Sequence, residues 1–311
     1  MNRASTLLLA AASHPAAPRA AVPPAPLAPF VGPWQAEPTL LLPASLAALL
    51  YAAGWLRLRR AGGAGTATGW RAAAFAAGLL TVLWALLGPL DDLGDRSFAF
   101  HMVQHEVLTM VSAPLLLLGL PGPILVWAPP RGWSRQALPW LGHRRWLRRL
   151  GAWLGRPAVA WALFNGTLLL WHLPPLYNAA QGNDWTHYAE HLSFLATALV
   201  FWAQLVGLAP RARRLAPGTA AGYVAASMPV SMLLGIWFLF SPVPVYAHYA
   251  AVRNPYGWSV LLDQQLAGAV HLLLAMVYMM ALVGYYLARL LAEAEEREAS
   301  LPRPGAPGAG A

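Results

Sequence analysis

The chain has 311 residues, of which 58% are apolar and 11% charged, with no cysteine and a formal net charge of +9. So apolar a composition excludes an ordinary soluble domain and points to a chain that crosses a membrane several times. The lack of cysteine rules out disulfides, zinc ribbons and thiolate metal sites, and no glycine-rich phosphate loop or solenoid repeat is present.

Residues 1 to 38 are rich in alanine and proline and are expected to be disordered, with a faint signal-peptide look where Arg3 precedes a short apolar run. A spanning helix needs about 20 mainly apolar residues. Seven stretches answer to that, near 39 to 56, 70 to 88, 98 to 119, 157 to 173, 187 to 208, 219 to 240 and 264 to 290. Pro114, Pro121 and Pro123 flank a leucine-rich run and are expected to end the third stretch. A surface segment follows, near 120 to 156. Within it Trp146, Leu147, Leu150, Trp153 and Leu154 share one helical face, and Arg144, Arg145, Arg148 and Arg149 another, as in a helix lying on a bilayer. Gly166, Gly222, Gly235 and Gly268 fall inside spans and predict close helix contacts. Pro229 predicts a bend in the sixth span, with Ser231 placed to satisfy a freed carbonyl. After residue 290, a glutamate-rich helix end and Pro302, Pro304 and Pro307 predict a disordered tail over 291 to 311.

Every basic residue is arginine, and 17 of the 21 fall in alternate connections, among them Arg57, Arg59 and Arg60, then Arg144 to Arg149, Arg211 to Arg214, and Arg289 onward. The positive-inside rule then puts the N-terminus outside and the C-terminus in the cytoplasm, in keeping with an odd number of spans. The expected fold is all-α: a polytopic bundle of seven transmembrane helices spanning 39 to 290. Nucleic acid is not an expected partner, because the arginines are dispersed among loops and interleaved with Trp133, Trp140, Trp146 and Trp153, which suits a lipid headgroup layer.

Two histidine pairs at helical spacing, His101 with His105 and His187 with His191, open the third and fifth spans. Residues four apart share a helix face, so each pair can present two imidazoles to one point. His172, His248 and His271 are placed towards the same membrane face, while His143 falls on the cytoplasmic side. Asp91, Asp92, Asp95, Glu106, Glu190 and Asp263 accompany them. Ionisable groups at membrane depth usually face a bundle interior and find partners there. His172 and His248 read singly as hydrogen-bonded interfacial anchors. The two pairs with His271 read instead as a ligand site for a metal or haem, with Glu106 and Glu190 fixing imidazole orientation and Asp263 attracting a cation. Met102 beside His101 adds a thioether, which tilts the choice among imidazole-binding metals towards copper. The string His187-x-x-Glu190-His191 also matches an inverted zinc-peptidase pattern, but on three fixed positions and with no substrate cleft to accompany it.

Four segments in order carry a family resemblance: Phe100 to Pro121 with His101, Gln104, His105 and Glu106; Trp171-His172-Leu173-Pro174-Pro175 through Asn178; His187 to Phe194; and Asp263-Gln264-Gln265 to Gly268. Together they resemble the polytopic CtaG family of bacterial assembly factors for haem-copper cytochrome c oxidase. The resemblance covers about residues 40 to 290, and is not to the single-span, cysteine-containing copper chaperone that shares the label. It implies a multi-pass protein of the bacterial plasma membrane that is not an enzyme and whose partners are cytochrome c oxidase subunits, the lipid bilayer and a copper donor. Carried over position by position, its motif histidines are His101, His105, His172, His187, His191 and His271, the expected ligands of a transiently held copper ion, and the reading of the residues themselves adds Glu106, Glu190, Asp263 and Met102 around them. A b-type haem protein and a metal-free scaffold are the alternatives.

Overall fold

The computed structural model describes residues 32, 34 to 119, 121 to 129, 144 to 207 and 214 to 300. Among these, all regular structure is helical and no strand occurs. The chain forms α1 (Pro38–Arg60), α2 (Gly69–Leu87), a short α3 (Pro89–Arg96) and α4 (Phe98–Glu106). α4 continues through a π-helical stretch (Val107–Ser112) into α5 (Ala113–Leu118), and α6 (Pro121–Leu125) follows. Next come α7 (Arg145–Leu154), α8 (Pro157–Trp171), α9 (Pro174–Gln181) and α10 (Asp184–Val206). α11 (Pro217–Ala225), α12 (Met228–Phe240), α13 (His248–Ala251) and α14 (Val260–Ala299) complete it.

Five helical stretches are long and apolar enough to cross a membrane: α1, α2, α10, the α11 and α12 run over Pro217–Phe240, and α14. The other two expected spans are built differently. Residues 98 to 119 fold as α4, the π-helical stretch and α5, while α8 is an apolar helix of 15 residues. At 1.5 Å per residue it reaches roughly 23 Å, short of a hydrocarbon core of about 30 Å.

Burial is inside out relative to a soluble protein. Leu42, Leu233, Leu273 and Met280 are exposed, whereas His101, Gln104, His105 and Glu190 are buried. Polar groups are gathered within the bundle because lipid offers them no hydrogen bonds. Proline in the first turn starts several helices, where its missing N–H has no intrahelical partner. Asn183 caps α10 by accepting from Thr186 N at 3.1 Å, and Ser259 caps α14 by accepting from Leu262 N at 3.2 Å. Towards one end, Phe164, Phe201, Trp202, Tyr223 and Met279 form an apolar core. Another core, of Phe98, Met102, Tyr177, Phe238, Tyr246 and Tyr249, covers the histidines.

Helix α14 runs to Ala299, so the disorder expected from residue 291 does not hold as far as that residue. Ala, Leu and Glu dominate this stretch and favour helix, and Glu293 pairs with Arg297 one turn on at 3.9 Å. The expectations for residues 1 to 31 and 301 to 311, and for Trp133, Trp140 and His143, fall outside the described residues. Within the expected surface segment, α7 forms and buries none of its residues, leaving Trp146, Leu150 and Trp153 exposed.

The small-residue contacts divide. A Cβ on Gly268 would come within 2.6 Å of Leu239 N and 2.7 Å of Gly235 O, so α12 and α14 meet backbone to backbone there. Gly166 and Gly222 face outward with nothing within 4 Å of an added Cβ, and the close contacts expected at these two are not made. Gly268→Ala is therefore expected to destabilise by about 1–3 kcal/mol, since backbone atoms cannot give way as a side chain can. Gly166→Ala should be neutral or stabilise by up to about 1 kcal/mol through helix propensity. Thermal unfolding of the two variants in one detergent checks the opposite signs. Pro229 sits in the first turn of α12, after a break at Ala226 and Ser227, so it frees no intrahelical carbonyl. Ser231 does not fill that expected role; its hydroxyl lies 2.9 Å from His271 Nε2.

Candidate metal centre

The four-residue spacing on α4 sets His101 and His105 one above the other, with their Nε2 atoms 2.9 Å apart. The amide nitrogen of Gln181 can only donate, so His101 Nδ1 accepts from it at 3.3 Å and the His101 proton sits on Nε2. That proton is donated to His105 Nε2, which leaves the His105 proton on Nδ1.

From α10, His191 and Glu190 meet these two rings. Ligand atoms of His101, His105, Glu190 and His191 all lie within 4.8 Å of one another, and all four residues are buried. Glu190 Oε1 is 3.6 Å from His105 Nε2, and Oε2 is 4.0 Å from His101 Nε2. The His191 ring centroid is 5.4 Å from that of His101 and 5.3 Å from that of His105. His187 stands at the edge, with its ring 4.3 Å from His191 and 5.3 Å from His101. The His187-x-x-Glu190-His191 string is thereby divided, its last two members joining α4 while the first looks towards the bundle surface.

The remaining predicted residues surround this group without joining it. His172 Nδ1 donates to Leu168 O at 2.7 Å, so its Nε2 carries a lone pair and faces the Met102 sulfur at 3.3 Å. The His172 ring is 5.6 Å from that of His105. His271 is occupied elsewhere, with Nδ1 2.6 Å from Glu106 Oε1 and Nε2 facing Ser231. A cavity of about 20 Å³, room for one water, separates this pair from His105 and Met102. Asp263, expected to attract a cation, is spent on architecture. Its carboxylate accepts from Ser97 Oγ at 2.6 Å, Phe98 N at 2.7 Å and Ala99 N at 3.2 Å, capping the helix that bears His101. His248 acts as the anchor expected of it, with Nε2 donating to Asp95 O at 2.9 Å.

The π-helical stretch begins directly after Glu106, and π-bulges recur at functional sites because they rotate one helix segment against the next. One of its carbonyls finds a partner across the bundle, Trp202 Nε1 donating to Thr109 O at 2.7 Å, while Thr109 Oγ1 donates back along its own helix to His105 O at 2.7 Å. Above the histidines, Tyr177 stacks on Tyr246 with centroids 3.8 Å apart. The Tyr246 hydroxyl donates to His172 O at 2.8 Å, and that of Tyr249 to Gly94 O at 3.1 Å. Gln104 Nε2 donates to Ala85 O and to Asp91 Oδ1, fixing α4 to its neighbours. Gln181 and the tyrosines carry no local pattern along the chain that marks them, although Tyr177 and Asn178 lie inside one of the motifs of the family resemblance.

The donor set fits a metal ion on one observation. Five polar atoms here are buried without a hydrogen-bond partner: His105 Nδ1, His187 Nε2, His191 Nε2, Glu190 Oε1 and Glu190 Oε2. Each such atom costs about 1–3 kcal/mol. A bound cation would satisfy His191 Nε2 and both Glu190 oxygens at once, whereas His105 Nδ1, which carries that ring's proton, offers it no lone pair.

Comparison with known proteins adds a family. The family described as "Cytochrome c oxidase caa3 assembly factor (Caa3_CtaG)" matches residues 49–293. An uncharacterized protein of Mycobacterium leprae is 27% identical over 240 residues, covering 76% of this chain and 36% of its own length. An uncharacterized protein of Mycobacterium bovis is 27% identical over 236 residues, covering 72% of this chain and 34% of its own. The chain thus spans about a third of the length of the curated relatives it matches. No solved structure matches it.

Proposed function

We propose that this chain, which belongs to the cytochrome c oxidase caa3 assembly factor family, holds a copper ion as cargo at His101, His105, Glu190 and His191 and passes it to an oxidase subunit during assembly. The protein works in the bacterial plasma membrane, receiving copper from a donor outside. All seven stretches from 39 to 290 cross the bilayer, the short α8 by local thinning of the bilayer, with the histidine end outside and the C-terminus in the cytoplasm. The arginine distribution supports that orientation, and the exposed Trp146, Leu150 and Trp153 of α7 support its lying on the inner leaflet.

The buried, unpartnered imidazole and carboxylate atoms carry the metal reading. A metal-free scaffold would use its histidines as His172, His248 and His271 are used, each in contact with a defined partner. His105, His187 and His191 each keep a buried ring nitrogen without one. Haem needs one histidine from each of two facing helices, and geometry disfavours it: the His191 ring centroid lies 5.3 Å from that of His105 and 5.4 Å from that of His101, which leaves no room for a macrocycle between the facing rings. Copper is favoured over other imidazole-binding metals by the Met102 sulfur, which with the His172 lone pair offers a softer pair of donors beside the main group. His172 and Met102 are in this reading a release station, while Glu106 and His271 hold the wall behind them.

Purified protein loaded with copper(I) is expected to bind it in equimolar amount, show no Soret band, and lose binding by at least about 100-fold in a His105→Ala, His191→Ala double variant. In cells, the double variant should accumulate normally while the oxidase made beside it lacks copper. Undiminished copper binding by the double variant ends this reading.

A further inference from the structure

Where α3, the starts of α1 and α10, and α13 come together, the bundle opens a chamber of about 350 Å³. Glu37, Asp91, Asp95 and Asp184 line it. Among its described lining residues the only arginine is Arg96, and its guanidinium is taken by Asp92. The chamber is therefore electronegative.

Its inner wall includes His187 and His191. Nε2 of each is buried with no hydrogen-bond partner, and His191 is only 3% exposed. His191 also belongs to the buried four. One imidazole is thus shared between an acidic chamber and the metal cluster, and His187 lies beside it on the same helix face, 5.3 Å from His101. Burial, with the charge of Asp95 next to it, pushes Asp91 up to about 7. A cation entering here would relieve repulsion among carboxylates that are crowded together.

We propose that this chamber is the loading antechamber for a small metal cation, which its carboxylates draw in and His187 hands to His101 and His191. The inference rests on the reading of the buried cluster as a metal site, and it assigns the steering role to Glu37, Asp91, Asp95 and Asp184 in place of Asp263. Clefts lined by one sign of charge raise the capture rate of opposite ions by about 10- to 1,000-fold, and salt screens that gain. Anionic copper complexes are repelled by the same field.

The test is the rate of copper(I) uptake by full-length protein in detergent from a coloured cationic complex of copper(I) with an uncharged phenanthroline-type chelator. A Glu37→Gln, Asp95→Asn, Asp184→Asn variant spares Asp91, which holds Gln104 at 2.8 Å. It is expected to load about tenfold or more slowly than the parent at low salt, with a flattened dependence on ionic strength. A Glu293→Gln, Glu295→Gln, Glu296→Gln control makes the same change in charge on the α14 extension and should load at the parental rate. Parental rate and salt dependence in the acidic-chamber variant overturn the proposal while leaving the metal site standing. A parent that takes up no copper overturns both. If the variant does not fold, the parent alone decides: uptake that does not slow in about 1 M salt, where the screening length is about 3 Å, overturns steering by the chamber.

Discussion

Replacing Asp263 by alanine is expected to lower the thermal midpoint of the detergent-solubilised protein by on the order of 10 °C, the largest effect of any single substitution outside the histidine cluster. Asp263 is 2% exposed and accepts from Ser97 Oγ and from two backbone N–H groups at the first turn of α4. Hydrogen bonds to a charged group contribute about 1.5–3 kcal/mol each, and removing one partner leaves the others buried and unmet. A loss of about 3–5 kcal/mol follows, against a total stability of about 5–15 kcal/mol, at about 2–4 °C per kcal/mol. The same carboxylate fixes α4 against α14, so the two α4 histidines should lose register with His191, and copper affinity should fall although no ligand was touched. Asp263→Asn keeps one acceptor and should give about half the shift. A midpoint within about 2 °C of the parent for the alanine variant would show that the cap carries little weight.

Glu190→Gln is expected to move two properties in opposite directions. In the metal-free protein both Glu190 oxygens are buried without a hydrogen-bond partner, beside His101 and His105. Replacing an unpaired buried carboxylate by an amide of the same shape should raise metal-free stability by about 1–3 kcal/mol. A site that functions is often stabilised when its function is removed, because groups arranged for a ligand are poorly satisfied without it. Copper at 100 times its dissociation constant should add about 2.7 kcal/mol to the parent. The variant lacks the only carboxyl group of the four and should gain almost nothing under the same conditions. Differential scanning fluorimetry with and without copper reads both changes. A variant less stable than the parent without metal, or equally stabilised by copper, contradicts the role given to Glu190.

Much of the site was legible along the chain because helical periodicity is local. The four-residue spacing of His101 with His105, and of His187 with His191, predicted two imidazoles on one face of each helix, and the rings are indeed adjacent, with centroids 4.4 Å and 4.3 Å apart. The roles of the carboxylates were not legible. Glu106 and Glu190 each neighbour a histidine in sequence, yet Glu190 faces the imidazoles of another helix, while Glu106 is 2.6 Å from His271, 165 positions away. Glu37 and Asp184 carry no signal in the sequence, because neither sits in an apolar run, and the chamber they share with Asp91 and Asp95 exists only where separate helices converge.

Composition alone determined that the chain is helical and apolar on its outside, since a run of apolar residues long enough for a bilayer must satisfy its backbone internally whatever it packs against. The spacing of the histidines determined that they would meet in pairs. Only the tertiary structure decided which pairs share a centre, that His271 and Asp263 stand apart from it, and that an acidic chamber adjoins it. Those outcomes depend on the rotation of each helix about its axis, which is set by contacts such as the backbone approach at Gly235 and Gly268 and the π-helical stretch after Glu106. Such contacts join residues far apart in the chain, and no local pattern records them.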